Sequence, residues 1–263
     1  YTSGSTGKPK GVAIEHRNTV ALINWASEFF TSEQLKGVLA STSLCFDLSV
    51  FELFVTLSCG GKVILARNAL QLPKLKAALE VTLINTVPSA IATLFQINGI
   101  PPSVNTINLA GEPLQNALVQ KLYQLNHVKQ VVNLYGPTED TTYSTVAVVP
   151  KGWNDIPSIG CPIANTQIDL VKYSEQGQND SLDLVPFGVA GEVYISGEGL
   201  ARGYLNRPEL TAQKFIPNPF SDKPDARLYK TGDLAVYLPD GNLKYLGRID
   251  NQVKIRGFRI ETV

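Results

Sequence analysis

Apolar and polar positions fall into two textures along this chain, with the change near Thr142. Before it, short apolar runs alternate with segments of helical period. Asn18 to Phe30 sets Ala21, Leu22, Trp25 and Phe29 on one face, which predicts an amphipathic helix. Val38-Leu39-Ala40 predicts a short buried strand, and Ser49 to Leu57 an apolar helix stopped by Gly60-Gly61. Further strands are predicted at Lys62 to Ala66, Thr82 to Val87, Thr106 to Leu109 and Gln130 to Leu134. Helices are predicted between them at Lys74 to Leu79, Ser89 to Phe95 and Leu114 to Leu125. This alternation implies βαβ units around a mostly parallel sheet. After Thr142 the apolar runs are short and β-rich, at Ser144 to Val149, Gln167 to Val171, Glu192 to Ile195 and Leu243 to Leu246, with Gly-, Pro- and Asp-rich turns between them. The expected fold is α/β, with parallel-rich αβα layers followed by a small β-barrel-like subdomain. Tyr173 to Leu184 is polar and is expected to be an exposed loop.

Composition narrows the function classes. The 263 residues suffice for a full core, and 44% hydrophobic against 17% charged residues indicates an ordered α/β protein. A formal net charge of +0 gives no electrostatic reason to expect nucleic acid or an anionic membrane as partner. No run approaches the ~20 apolar residues of a membrane span. Cys45, Cys59 and Cys161 are widely spaced, which speaks against a disulfide framework or a zinc site and suits a reduced, cytoplasmic setting. Without methionine, and opening inside a motif, the chain is expected to be an internal fragment of something longer.

The first eleven residues concentrate the candidate chemistry. Tyr1 to Gly11 holds Gly4, Gly7 and Gly11, the hydroxyls of Ser3, Ser5 and Thr6, and the ammonium groups of Lys8 and Lys10. Glycine lets neighbouring N–H groups converge on an anion, so the run suits an oligophosphate better than it suits a plain surface loop. It is not a P-loop: Pro9 follows Lys8 where a metal-binding hydroxyl would be required. Downstream, Asn133-Leu134-Tyr135-Gly136-Pro137-Thr138-Glu139 offers an aromatic for a purine, a hydroxyl for phosphate and a carboxylate for a metal. Asp233, in Tyr229-Lys230-Thr231-Gly232-Asp233, lies just past a glycine turn and can accept from a ribose. The alternating charges of Gly247 to Gly257 fit an exposed edge strand.

Together these runs resemble the ordered motifs of adenylate-forming enzymes, most closely the adenylation domains of nonribosomal peptide synthetases. The resemblance spans the whole chain. It implies that Ser3, Gly4, Ser5, Thr6, Gly7 and Lys10 form the phosphate loop, with Thr6, Lys10 and Glu139 in catalytic roles and Glu139 supporting Mg²⁺. It implies that Gly111, Glu112 and Pro113 wall the adenine slot and that Asn133 contacts the adenine amino group. Tyr135 would stack on the ring after the turn at Gly136, Thr138 would contact the α-phosphate, and Asp233 and Arg248 would hold the ribose. Gly191-Glu192-Val193-Tyr194-Ile195-Ser196-Gly197 through Ala201-Arg202-Gly203-Tyr204 matches a further motif, for which a structural role is expected. Asp250 would be a hinge between residues 1–249, the large N-terminal core, and residues 250–263, the start of a small mobile domain whose catalytic lysine lies beyond this chain.

Asp47, set among Leu44, Phe46, Leu48, Val50 and Phe51, decides the substrate class. A carboxylate there is costly to bury without a cation or strong donors, unless it caps the helix that follows. By the resemblance it binds a substrate α-ammonium, so amino-acid activation is expected over the two alternatives, an acyl- or aryl-CoA ligase or a non-catalytic nucleotide-binding relic. The resemblance also places Leu48, Phe51, Asn85, Asn108, Ala110, Leu134, Thr142 and Tyr143 around the side-chain pocket. Their bulk leaves little volume and they offer no second acid for a cationic side chain; the set resembles the family's alanine-type signature, which implies alanine, with glycine and serine next. The expected reaction forms aminoacyl-AMP from ATP for transfer to the phosphopantetheine of a carrier domain, with carrier and condensation domains as partners. His16 and His127 lie outside every motif.

Overall fold

A computed structural model describes residues 1–2, 9–173 and 182–250, and the backbone of 252–255 and 258–261. The phosphate-loop residues Ser3, Gly4, Ser5, Thr6 and Gly7 and most of the expected loop from Tyr173 to Leu184 lie outside the described residues.

The first half builds one sheet of seven strands. Five run parallel in the order β2 (Lys62–Leu65), β1 (Gly37–Ala40), β3 (Leu83–Thr86), β4 (Thr106–Ala110) and β5 (Gln130–Tyr135). β6 (Thr145–Val148) and β7 (Cys161–Pro162) then extend it antiparallel beyond β5. β1, β3 and β4 are buried along their whole length, as strands covered on both faces must be.

The two faces sort by the strand period of two. Leu39, Ile84, Ile107 and Val131 point to one side, where Ile91 and Leu94 of the Pro88–Gln96 helix and Val119 and Leu122 of the Asn116–Leu122 helix cover them. Val38, Leu83 and Val132 point to the other, against Leu22, Trp25 and Ala26 of the His16–Phe29 helix and Phe51 and Val55. Asn18 ties that first helix down. Its Oδ1 accepts the Glu15 N–H at 2.8 Å, while its Nδ2 donates to the carbonyls of Glu198 and Leu200.

The second half forms an antiparallel sheet of β8 (Thr166–Val171), β9 (Gly191–Gly197), β10 (Phe215–Pro217), β11 (Arg227–Tyr237) and β12 (Leu243–Arg248). β11 is the centre, pairing with β9, β10 and β12. Its apolar face buries Ile168, Val193, Ile195, Tyr229, Ala235 and Leu243 together with Tyr135 and Tyr204. A separate antiparallel pair, β13 (Gln252–Ile255) and β14 (Phe258–Glu261), follows Asp250.

Three expectations need correction. The helix expected at Lys74 to Leu79 is instead two short 3₁₀ turns, Ala69–Lys74 and Ala78–Glu80, because Pro73 removes an N–H and Leu75 is extended. The Ser49 to Leu57 helix exists but contains a π turn at Phe51–Val55 between α-helical Leu48–Val50 and Thr56–Ser58. The change of texture at Thr142 is not the sheet boundary, since β6 and β7 complete the first sheet and the second begins at Thr166.

Candidate active site

A cavity of about 620 Å³ opens at the carboxyl ends of the parallel strands, where α/β sheets place their ligands. The segment after β1 gives it Ser41, Thr42 and Asp47; β3 ends at its wall with Thr86; β4 supplies Ala110, with Gly111 just past its end; and Gly136, Thr138 and Thr142 come from the segment after β5. Thr231, Asp233 and Arg248 of the second sheet also line it.

Asp47 does not cap the helix. Its backbone is already helical and its carboxylate makes no cap hydrogen bond. Instead Oδ2 accepts the Thr138 hydroxyl at 2.5 Å, and the Thr142 hydroxyl donates to the Asp47 carbonyl at 2.9 Å. The residues expected at an ammonium and at an α-phosphate are thus hydrogen-bonded neighbours on one wall. Thr141 and Thr142 adopt positive φ, 49° and 79°, a costly backbone for β-branched side chains at roughly 1–3 kcal/mol each. Hydrogen bonds from Thr141 Oγ1 to the Gly199 carbonyl and from Thr142 to Asp47 hold the strained pair. Gly136 is required beside it, because a Cβ there would lie 2.6 Å from the Thr142 carbonyl oxygen.

On the second sheet, Asp233 is buried and accepts three donors: Tyr135 Oη at 2.6 Å, Arg248 Nη1 at 2.7 Å and Tyr245 Oη at 3.2 Å. Arg248 spends its other donors on both carboxylate oxygens of Asp250, at 2.7 and 2.8 Å, and on the Thr231 carbonyl. Burial and the Asp233 charge push the Tyr135 phenol well above its usual range, so it stays a donor.

Of the other expected residues, Leu48 and Ala110 line the cavity. Phe51, Leu134 and Tyr143 are buried in the apolar cluster that also holds Ala110. Asn85 accepts the Tyr143 hydroxyl at 2.6 Å and pairs in register with Asn108, whose buried amide has no hydrogen-bond partner among the described residues. Glu112 accepts the N–H and hydroxyl of Ser89 at the start of a helix, and Pro113 beside it is exposed. Asn133 donates to the Ser158 carbonyl. Glu139 is fully buried and accepts the Tyr204 hydroxyl, while the Lys10 ammonium lies over the Tyr204 ring.

Sequence reasoning missed Glu52. It is fully buried, and its carboxylate accepts the Ser41 and Thr42 N–H groups, both at 3.0 Å, and the Thr42 hydroxyl at 2.6 Å. It therefore fixes a stretch of the cavity wall. The only signal for it was a lone acid inside an apolar helix.

Residues 1–205 match the AMP-binding enzyme family. The chain belongs to that family. Among AMP-binding relatives it is 64% identical over 261 residues to one of the linear gramicidin synthase proteins of Brevibacillus parabrevis, covering 99% of this chain and 5% of that protein. It is 48% identical over 263 residues to the AMB antimetabolite synthetase AmbB of Pseudomonas aeruginosa, covering 99% of this chain and 20% of the relative. The chain therefore spans a small part of these synthetases. It superposes at a TM-score of 0.84 and 30% identity on the Vibrio cholerae adenylation domain AlmE, solved with glycyl-adenosine-5'-phosphate, over 99% of this chain and 49% of that one. A second AMP-binding neighbour is holo-PA1221, a nonribosomal peptide synthetase protein with adenylation and PCP domains, at a TM-score of 0.83 and 30% identity, covering 99% of this chain and 45% of that one. Among the described residues no helix is long and apolar enough to cross a membrane.

Proposed function

We propose that this chain is most of the core of an adenylation domain that activates alanine as alanyl-AMP for a phosphopantetheinyl carrier. The observation that carries it is the Asp47 carboxylate, hydrogen-bonded to Thr138 and lining the same cavity as Asp233 and Arg248. One cavity lined by both groups suits one molecule that carries an ammonium and a ribose. ATP would lie with its ribose hydroxyls at Asp233, its adenine toward Gly111, Glu112, Pro113, Asn133 and Tyr135, and its outer phosphates at the 3–7 loop and Lys10. An amino acid held by its ammonium at Asp47 presents its carboxylate to the α-phosphorus beside Thr138. A carboxylate oxygen forms the new bond to phosphorus as the bond to the β-phosphate oxygen breaks, and pyrophosphate leaves. Positioning and charge neutralisation account for most of such catalysis.

Glu139, next to the cavity-lining Thr138, would be the carboxylate that meets a nucleotide-borne Mg²⁺, an ion that takes one or two carboxylates along with phosphate oxygens. When bound, Mg²⁺ would neutralise charge on the phosphates. A carrier thiol would then attack the aminoacyl carbonyl, forming a thioester as the bond to AMP breaks and AMP leaves, a step supported by the carrier-bearing neighbour. Asp250, where Arg248 ends its network and β13 and β14 begin, would be the hinge between 1–249 and 250–263.

A small substrate is supported by Phe51, Leu134 and Tyr143 filling the cluster behind Ala110, and by the glycyl adduct of the structural neighbour. Asp47 favours an amino acid over the acyl or aryl acid of a CoA ligase, which brings no ammonium. The test is ATP–pyrophosphate exchange by the full-length protein with each proteinogenic amino acid. Alanine should be preferred, with glycine and serine close behind, because one methylene is worth only about 1–3 kcal/mol. Asp47→Ala should cut exchange at least ~100-fold without unfolding the protein, the lower end for a buried charge stripped of its partner. Preference for leucine, phenylalanine or arginine would refute alanine, and an active Asp47→Ala would refute the ammonium site.

A further inference from the structure

Tyr204 closes the run from Gly191, for which only a structural role is expected from the sequence, yet it stands between two groups assigned to the phosphate end of the site. Its hydroxyl donates to Glu139 Oε1 at 2.7 Å, and the Lys10 ammonium lies 4.7 Å from its ring centroid. Neither contact is accidental to the backbone. Val12 bridges to Tyr204, the Leu205 N–H donates to the Gly11 carbonyl at 2.9 Å, and the Ala13 N–H donates to the Gly203 carbonyl at 2.8 Å. The segment carrying Lys10 therefore runs strand-like along the turn carrying Tyr204. That turn also reaches Glu139 through its main chain, as the Ala201 N–H donates to the Glu139 carbonyl at 2.9 Å. Thr211 Oγ1 accepts the Tyr204 N–H at 3.0 Å and completes the support.

We propose that Tyr204 is a positioning residue for the phosphate end of the site, aiming the Glu139 carboxylate with its hydroxyl and seating Lys10 on its ring. The inference rests on the reading above, in which Glu139 meets Mg²⁺ carried by ATP. The hydrogen bond from the phenol holds the buried carboxylate in one orientation. The aromatic face and the hydroxyl act on different groups, so they separate by substitution: phenylalanine keeps the face and removes only the donor.

The test is calorimetric binding of α,β-methylene-ATP to the full-length protein, with Mg²⁺ and with EDTA. Tyr204→Phe should weaken binding about ten-fold with Mg²⁺, the scale of a hydrogen bond to a charged group, and leave binding in EDTA unchanged. Combined with Glu139→Gln it should lose no more than Glu139→Gln alone. Equal losses in both arms, no loss at all, or additive losses would overturn the proposal. Glu139→Gln also separates the two claims. If it weakens Mg²⁺-dependent binding and Tyr204→Phe does not, the Tyr204 inference fails and the reading of Glu139 stands. If Glu139→Gln has no effect, the reading itself fails. Should Tyr204→Phe not fold, Thr211→Val removes the support of the Tyr204 backbone. It should shift the Mg²⁺ arm alone in the same direction, and an unchanged Mg²⁺ arm would contradict the proposal.

Discussion

Glu52 and Asp140 are both buried carboxyls, and both are pushed up by burial: Glu52 to about 7 and Asp140 to about 8. Glu52 still accepts three donors from Ser41 and Thr42, whereas the Ser144 hydroxyl is the donor to Asp140. For each, the folded state holds its proton more tightly than the unfolded chain, whose values are 4.5 and 3.8. Folding stability is therefore greatest below those values and falls as pH rises toward 7 and 8, by about 1 kcal/mol per pH unit and group. Denaturant melts between pH 5 and 8 should show stability declining with pH. Asp140→Asn, which does not titrate, should flatten that slope and leave the protein more stable than the parent at pH 8. A slope that the substitution leaves unchanged would contradict the assignment. Asp140, like Glu52, was silent in the sequence, because nothing local distinguishes a buried acid from a solvated one.

Among the elements, β11 shows how far pattern reading goes. Asp233 was expected just past a glycine turn, but it lies inside an eleven-residue strand. The register against β9 shifts between Lys230 and Leu234, and Gly232 takes φ 76° within that irregularity. A bulge re-aims the strand so that Thr231 and Asp233 reach the cavity. A Cβ on Gly232 would lie 2.8 Å from Arg248 Nη2 and 3.3 Å from Asp250 Oδ2. Gly232→Ala is therefore expected to displace Arg248 and raise the ATP KM about ten-fold or more, with little effect on the amino-acid KM. Equal rises in both would point to general loosening instead. The central strands β1, β3, β4 and β5 were legible because continuous apolar runs between helical segments have few other solutions. Short 3₁₀ turns, the π turn and the bulge were not, since each depends on contacts distant in sequence.

At the scale of the molecule, two sheets meet over one cavity, and the candidate site belongs to neither alone. The parallel sheet supplies Asp47 and Thr138, and the antiparallel sheet supplies Asp233 and Arg248. Sequence motifs named these residues but could not show that Thr138 bonds Asp47, or that Tyr135 and Arg248 share Asp233. Those pairings span 91, 98 and 15 residues, separations over which periodicity carries no information. The most direct measurement is a structure of the protein bound to a non-hydrolysable alanyl-adenylate. The ammonium should lie within hydrogen-bond distance of Asp47, the phosphate mimic beside Thr138, and the ribose hydroxyls at Asp233. A ligand whose ribose lies away from Asp233, or whose ammonium has no contact with Asp47, would contradict the account.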